Sequence, residues 1–118
     1  MLRESLHDIA EGLRKWVEAW GHQHWGNKTE ARETVRAATL RLRLWTTIEE
    51  RIVGASVTEI LTAPDAIEAA ARFGAWDTTA VDWFRGGIPV DEFESMYQQA
   101  LDAQSDWIEE ERQQRGRR

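Results

Sequence analysis

Periodic apolar residues at the start of the chain place the tightest constraint on its fold. Large apolar side chains recur at alternating steps of four and three residues, at Leu2, Leu6, Ile9, Leu13, Trp16 and Trp20. Because an α-helix completes a turn about every 3.6 residues, this spacing puts all of these side chains on one face. The pattern predicts a helix that ends at Gly21 and buries one side against another helix.

A second apolar stripe predicts the partner of this helix. The stripe consists of Ala31, Val35, Ala38, Leu42, Trp45 and Ile52. Thr29 is a suitable cap, so we expect a second helix from Thr29 to about Val53, joined to the first by a glycine-bracketed loop over residues 21–28. The two helices would form a long hairpin over residues 1–54. A second apolar face, made of Leu40, Leu44 and Ile48, predicts that this helix also contacts further helices.

Turn and cap signals divide the remainder into shorter helices. Ser56-Val57-Thr58-Glu59 matches a capping box, and Pro64 and Gly74 predict the bounds of the next helix. A short helix would follow from Asp77 or Thr78 to Phe84. Asp91 with Glu94 would cap a long C-terminal helix that packs on the hairpin. The end of this last helix, from residue 109, is expected to project. We therefore expect an all-α fold, an irregular helical bundle of about five helices in a single domain over residues 1–118, with parts 1–54, 55–91 and 92–118.

Residues 65–91 contain a local sequence pattern of their own. A small residue stands at Ala70 and a glycine at Gly74, with apolar residues at Phe73, Ala75, Ala80 and Trp83. This pattern resembles the helix-turn-helix of Cro and phage-repressor-like regulators. The resemblance implies two short helices meeting at Gly74, the second of which would read DNA. A helix that reads DNA is expected to present Arg, Lys, Asn or Gln to the bases. This one would present Asp77, Thr78, Thr79, Asp82 and Arg85. Residues 55–91 also carry a net charge of -4, which disfavours contact with phosphates.

A row of basic residues is the better candidate for binding anions. Lys28, Arg32, Arg36 and Arg43 share one side of the predicted second helix, within a chain whose net charge is -6. Guanidinium groups in a row can bind phosphates or an acidic protein surface, so this Arg-rich face is the candidate nucleic-acid contact. The alternative interpretation is a solvated face that forms ion pairs within its own helix.

Tryptophan is unusually frequent, with seven residues against one tyrosine. Trp16, Trp20, Trp45 and Trp107 fall on apolar stripes and are predicted to be core residues. Trp25 in the loop and Trp76 at the expected turn have no stripe to join, and exposed aromatic residues in loops often anchor partners. We therefore predict partner binding through Trp25 and Trp76.

The three histidines are the remaining candidates for a site. His22 and His24 lie in the loop beside Trp25 and are assigned to the same partner-binding region. With His7 they make three histidines, the number of ligands in some zinc sites. Their spacing does not favour a metal site, so no metal or other cofactor is predicted. A chain without cysteine favours a reducing compartment, so we expect a cytoplasmic protein without a membrane segment.

The sequence contains none of the common catalytic motifs, so we expect a protein that is not an enzyme. Its leading interpretation is a small adaptor or accessory protein that docks on a larger protein or nucleoprotein assembly. In general outline the chain resembles the small helical subunits of phage, plasmid and CRISPR or other defence assemblies. The alternative is a helix-turn-helix transcriptional regulator or antitoxin that binds DNA.

Overall fold

The computed structural model describes residues 2–21 and 25–116, and gives side chains for residues 2–20 and 29–116. These residues form helices α1 (Leu2–Gly21), α2 (Trp25–Leu42), α3 (Arg51–Leu61), α4 (Ala66–Phe84), α5 (Phe93–Asp102) and α6 (Ser105–Gly116). A short 3-10 helix, Val90–Glu92, precedes α5, and the described part of the chain contains no strand. The predicted all-α bundle is confirmed, although it has six helices where about five were expected.

Helices α1 and α2 form the predicted antiparallel hairpin. A Cβ atom added at Gly12 would lie 2.6 Å from Cγ2 of Val35, so the two backbones approach closely where α1 has no side chain. Near one end of the hairpin, Arg41 of α2 binds the carboxylate of Asp8 at 2.9 Å. The core stripe of α1 is buried as expected, with Ile9 and Leu13 fully covered.

The prediction that the second helix runs to Val53 is wrong, because α2 ends at Leu42. The amides of Leu44 and Trp45 donate to carbonyl oxygens three residues earlier, which tightens the last turn. The hydroxyl of Thr46 also donates to the carbonyl oxygen of Leu42, at 3.1 Å. These bonds satisfy the last helical carbonyls and turn the chain away from the helix axis.

A different capping box from the predicted one precedes α3. The carboxylate of Glu50 accepts a hydrogen bond of 2.8 Å from the amide of Thr47, which is the glutamate half of a Thr-x-x-Glu capping box. Ser56 was predicted to open a helix, but it lies inside α3 and its hydroxyl donates to the carbonyl oxygen of Val53 at 2.9 Å. Gly54 is likewise inside α3 and does not end a helix.

Helix α4 is continuous through Gly74, so the helix-turn-helix geometry implied by the resemblance does not form. Among the described glycines only Gly86 has a positive φ, +80°, and it follows the end of α4. Thr78 does not cap a new helix, because its hydroxyl donates to the carbonyl oxygen of Gly74 at 3.1 Å within α4. One glycine within a helix costs about 1 kcal/mol, and the burial of Ala71 and Ala75 on either side offsets this.

Helix α4, and not α2, is the central element, since it contacts α1, α3, α5 and α6. Its first turn is capped by Asp65, whose side chain accepts from the amide of Glu68 at 2.8 Å. The predicted long C-terminal helix is divided into α5 and α6, which pack mainly on α4. Gln104 at their junction donates to the carbonyl oxygen of Ala71 at 3.1 Å.

The residues from 109 onward were expected to project, because they include no apolar residues. In the structure, α6 is instead bound to α4. Arg112 of α6 binds the carboxylates of Asp65 and Glu68, at 3.0 and 2.9 Å, and fixes α6 to the start of α4. No described helix is both long enough and apolar enough to cross a membrane.

Candidate functional site

Trp76 is a core residue, which corrects its prediction as an exposed partner anchor. Only 1% of its surface is exposed, and its indole Nε1 donates to the carbonyl oxygen of Val53 at 3.0 Å. The prediction placed Trp76 at a turn between two helices. Because α4 is continuous there, Trp76 instead lies on the helix face that packs against α3 and α1.

The other tryptophans divide between the core and the surface. Trp16 is buried and forms an edge-to-face contact with Trp20, with ring centroids 5.1 Å apart, so both lie on the core side of α1 as predicted. Trp45 and Trp107 were predicted to be core residues, and both are exposed. Trp45 follows the end of α2 and Trp107 follows the break between α5 and α6, so neither continues the stripe to which it was assigned.

The predicted loop site lies largely outside the described residues. His22 and His24 fall outside them entirely, and α2 begins at Trp25, earlier than the predicted cap Thr29. The side chain of Trp25 is also outside the described part, so its partner-binding role stays a prediction. Among the residues that the structure describes, no three His, Asp or Glu side chains are grouped to hold a metal ion.

The predicted basic row is not one continuous exposed surface over its described members. Arg32 is partly buried, and its Nε is shielded from solvent. Arg36 is exposed and lies 3.6 Å from the carboxylate of Glu33, as the alternative interpretation expects. Arg43 is exposed but lies beyond the end of α2, and the side chain of Lys28 is outside the described residues.

A cluster of exposed apolar side chains lies where α2 ends and the chain turns toward α3. We call it the 40–48 surface, and its residues are exposed by 60% at Leu40, 77% at Leu44, 52% at Trp45 and 74% at Ile48. Leu40, Leu44 and Ile48 were predicted to contact further helices, and that prediction is wrong. A helix extended to Val53 would have placed them on one face. The turn after Leu42 instead leaves Leu44 and Ile48 facing solvent, and Leu40 is exposed on α2 itself.

The 40–48 surface is held by an ordered turn. Leu42 and Val53, on either side of the turn, are fully buried and fix its ends in the core. Within the turn the Thr47–Glu50 hydrogen bond orders the backbone next to Ile48. The side chains of Arg43 and Arg51 are exposed beside this apolar cluster, and neither forms an ion pair with a described residue. Glu49 is also exposed next to Ile48, so the 40–48 surface has an apolar centre bordered by charges of both signs.

A second candidate is a groove between α1 and α4, with a volume of about 360 Å³. Val81 and Phe84 expose 40% and 44% of their surfaces there. Arg3, Arg85 and Asp77 also line this groove. Partial burial raises the pKa of the Asp77 carboxyl above its usual value, because the charged form loses contact with water.

A larger groove of about 730 Å³ follows the α1–α2 hairpin, over Gly12 and Ala31. Its polar lining is mostly acidic, including Glu11, Glu18 and Glu30. Glu11 and Glu18 both bind Arg14, at 3.0 and 2.8 Å. The Arg14 guanidinium lowers the pKa of the Glu11 carboxyl, so the charges of this groove are already matched in part within the chain.

No protein-family model, curated protein or solved structure matches this chain. Function is therefore inferred from the surfaces of the described residues.

Proposed function

We propose that this chain is a small non-catalytic adaptor that docks on a larger protein through the 40–48 surface. The observation that supports the proposal is the exposure of four large apolar side chains within nine consecutive residues, Leu40 to Ile48. Exposed apolar side chains that form a contiguous patch mark interaction surfaces more often than isolated ones do. Trp45 and Arg43 belong to the residue types that contribute most to interface energies.

The charges around the 40–48 surface define the chemistry of the partner. Arg43 and Arg51 border the apolar residues, although the chain as a whole carries a net charge of -6. Glu49 is exposed beside them, so the border carries both signs and favours a partner whose rim has complementary charges of both signs. The partner class is therefore a protein surface with an apolar centre and a mixed-charge edge.

The alternative function, DNA reading by a helix-turn-helix, has lost its geometric support. The turn expected at Gly74 is part of a continuous helix, and Trp76 and Trp83 on that helix are buried. The exposed residues of the same stretch include Asp77 and Asp82, which would face phosphates unfavourably. We therefore do not carry the regulator hypothesis forward.

The test is capture from a nuclease-treated extract of the source cells with matched variants. The double variant Leu44→Gln/Ile48→Gln removes two exposed apolar side chains without adding charge, so the fold should be retained. We expect wild-type protein to retain a stoichiometric protein partner, and the double variant to retain at least tenfold less of it. Trp107→Gln changes an exposed aromatic residue elsewhere and should capture the partner as wild type does.

Two outcomes would contradict the proposal. One is equal recovery of the same partner by the wild-type protein and the double variant, with circular dichroism showing both folded. The other is recovery of nucleic acid without any protein when nuclease is omitted. Arg43→Gln is expected to weaken capture several-fold at low salt and to have a smaller effect at high salt, as a rim charge should.

A further inference from the structure

The groove between α1 and α4 has the size of a small-molecule site. Its volume of about 360 Å³ lies near the lower end of the range for ligand pockets, about 300 to 1,000 Å³. One turn of an α-helix with its side chains occupies on the order of 400 Å³, from its width and pitch. The groove therefore holds less than one turn of a partner helix and suits a short chain molecule better.

Apolar side chains make up more than half of the lining of the groove. Ala10 of α1 and Ala80, Val81 and Phe84 of α4 line it, and the exposed parts of Val81 and Phe84 are available for contact. Trp76 also lines the groove, although its Nε1 is already bonded to Val53. A ligand in the groove would thus meet hydrocarbon and aromatic surface, which favours an apolar chain.

Two arginines of this groove have guanidinium groups that are free to bind an anion. Arg3 and Arg85 form no hydrogen bond or ion pair through their guanidinium groups with any residue that the structure describes. Elsewhere in the same acidic chain, Arg41 and Arg112 bind carboxylates at 2.9 to 3.0 Å. A guanidinium group can bind both oxygens of a carboxylate at once, so the groove is complementary to a carboxylate ligand.

Asp77 is the acidic residue that opposes an anion in this groove. Its carboxylate forms no ion pair with a described residue, and Arg3, Arg85 and Asp77 together give the groove's lining one net positive charge. The apolar part of the lining and this net charge together favour a ligand that is an amphiphilic anion. We propose that the α1–α4 groove binds a small amphiphilic carboxylate, whose chain lies on Val81 and Phe84 and whose carboxylate is bound by Arg3 and Arg85.

The test uses decanoate as the probe, below its micelle concentration, and follows the protein by two-dimensional ¹H–¹⁵N NMR. The indole signal of Trp76 and the amide signals of Val81 and Phe84 should shift in a saturable way with one dissociation constant. Nonyltrimethylammonium has the same nine-carbon chain and the opposite charge, and we expect it to bind at least tenfold more weakly; decyltrimethylammonium, one carbon longer, serves equally. This pair of probes separates charge recognition from simple apolar adsorption.

Two variants change the charges of the groove one at a time, and a third is a control outside it. Arg85→Gln should weaken decanoate binding roughly tenfold, the value of one charge-assisted hydrogen bond. Asp77→Asn should tighten binding several-fold, because it removes the opposing charge. Arg115→Gln removes an exposed arginine of α6, outside the groove, and should leave the dissociation constant unchanged.

Several results would overturn the proposal. The first is the absence of shifts at about 1 mM decanoate, which would mean an affinity too weak for a built site. The second is equal binding of decanoate and nonyltrimethylammonium, or an unchanged dissociation constant in folded Arg85→Gln protein. The third is a set of shifts centred on Leu44 and Ile48, which would place the probe on the 40–48 surface.

Discussion

The indole Nε1 of Trp76 donates a hydrogen bond of 3.0 Å to the carbonyl oxygen of Val53, and so joins the middle of α4 to the start of α3. This contact makes Trp76 a residue of the core. Trp45, by contrast, is 52% exposed and can contact a partner. The two tryptophans therefore have roles opposite to those that their positions in the sequence predict.

The first prediction compares these two tryptophans. Trp76→Ala should lower the free energy of unfolding by about 3 to 5 kcal/mol, because it removes a fully buried ring. Trp45→Ala should change it by less than about 0.5 kcal/mol, as expected of an exposed side chain. Urea denaturation followed by circular dichroism measures both values. A larger loss for Trp45→Ala than for Trp76→Ala would reverse the assignment of core and surface.

The second prediction concerns the continuity of α4. Gly74→Ala should raise the free energy of unfolding by about 0.5 to 1 kcal/mol, because alanine is favoured inside a helix and the nearest side-chain atom, of Gln104, is 3.4 Å away. Gly86→Ala should lower it by about 1 to 2 kcal/mol, since Gly86 has a φ of +80°. A helix-turn-helix with a positive φ at Gly74 would instead make Gly74→Ala the damaging change.

The third prediction concerns the close approach of α1 and α2. Gly12→Ala should lower the free energy of unfolding by about 1 to 3 kcal/mol, because the new Cβ would lie 2.6 Å from Cγ2 of Val35. Combining it with Val35→Ala removes that clash, so the double variant should lose less stability than the two single variants together. Gly54→Ala is the matched control, since its nearest side-chain atoms are 3.6 Å away and no loss is expected. Strict additivity of Gly12→Ala and Val35→Ala would show that the predicted contact does not exist.

The fourth prediction is a pH dependence that arises at the start of α4. Desolvation alone would raise the pKa of Asp65, but the amide of Glu68 and the guanidinium of Arg112 outweigh it and hold that pKa below its usual value. A lowered pKa stabilises the fold above the unfolded-state pKa of about 3.9, and this contribution is lost as the pH falls through the folded-state pKa.

The variant Asp65→Asn tests this pH dependence, because asparagine still accepts the capping hydrogen bond but does not titrate. Its free energy of unfolding should fall less than that of the wild type between about pH 5 and about pH 2.5. Arg112→Gln should reduce the dependence in part, since the backbone bond from Glu68 is retained. Identical pH profiles for wild type and Asp65→Asn would refute this origin of the effect.

Regular periodicity allowed the first helix and the hairpin to be predicted from the sequence. The steps of four and three residues from Leu2 to Trp20 agree with α1, and Ala31, Val35, Ala38 and Leu42 are buried as predicted. Single-residue signals were less reliable. Gly74 suggested a turn, but the packing of Ala71 and Ala75 outweighs the intrinsic preference of one glycine.

The candidate surface could not be predicted because it depends on where α2 ends. Leu44, Trp45 and Ile48 continue apolar helical patterns, so periodicity assigned Trp45 to the core and Leu44 and Ile48 to contacts with further helices. The Thr47-Ile48-Glu49-Glu50 segment contains a signal that could have corrected this, since it is a Thr-x-x-Glu capping box. This segment forms the turn that precedes α3 at Arg51, so α2 has to end before it, and Leu44 and Trp45 are then left in solvent.

The groove is a tertiary feature and depends on residues far apart in the sequence. Arg3 and Arg85 belong to α1 and the end of α4, and only the packing of these helices brings them to one cavity. Arg3 carries no local pattern that suggests binding, and Arg85 was considered only as part of the segment that would read DNA. Docking of Arg112 to Asp65 and Glu68 could not be predicted for the same reason, because the partners are more than 40 residues apart.

The most direct test of the adaptor proposal is photo-crosslinking in the source cells from a benzophenone amino acid placed at Ile48. We predict one protein adduct, whose yield falls sharply when Leu44→Gln is added. The same photoreactive residue at Gln99, exposed on α5, should form no such adduct. Equal adduct yields from both positions, or adducts with nucleic acid alone at position 48, would contradict docking through the 40–48 surface.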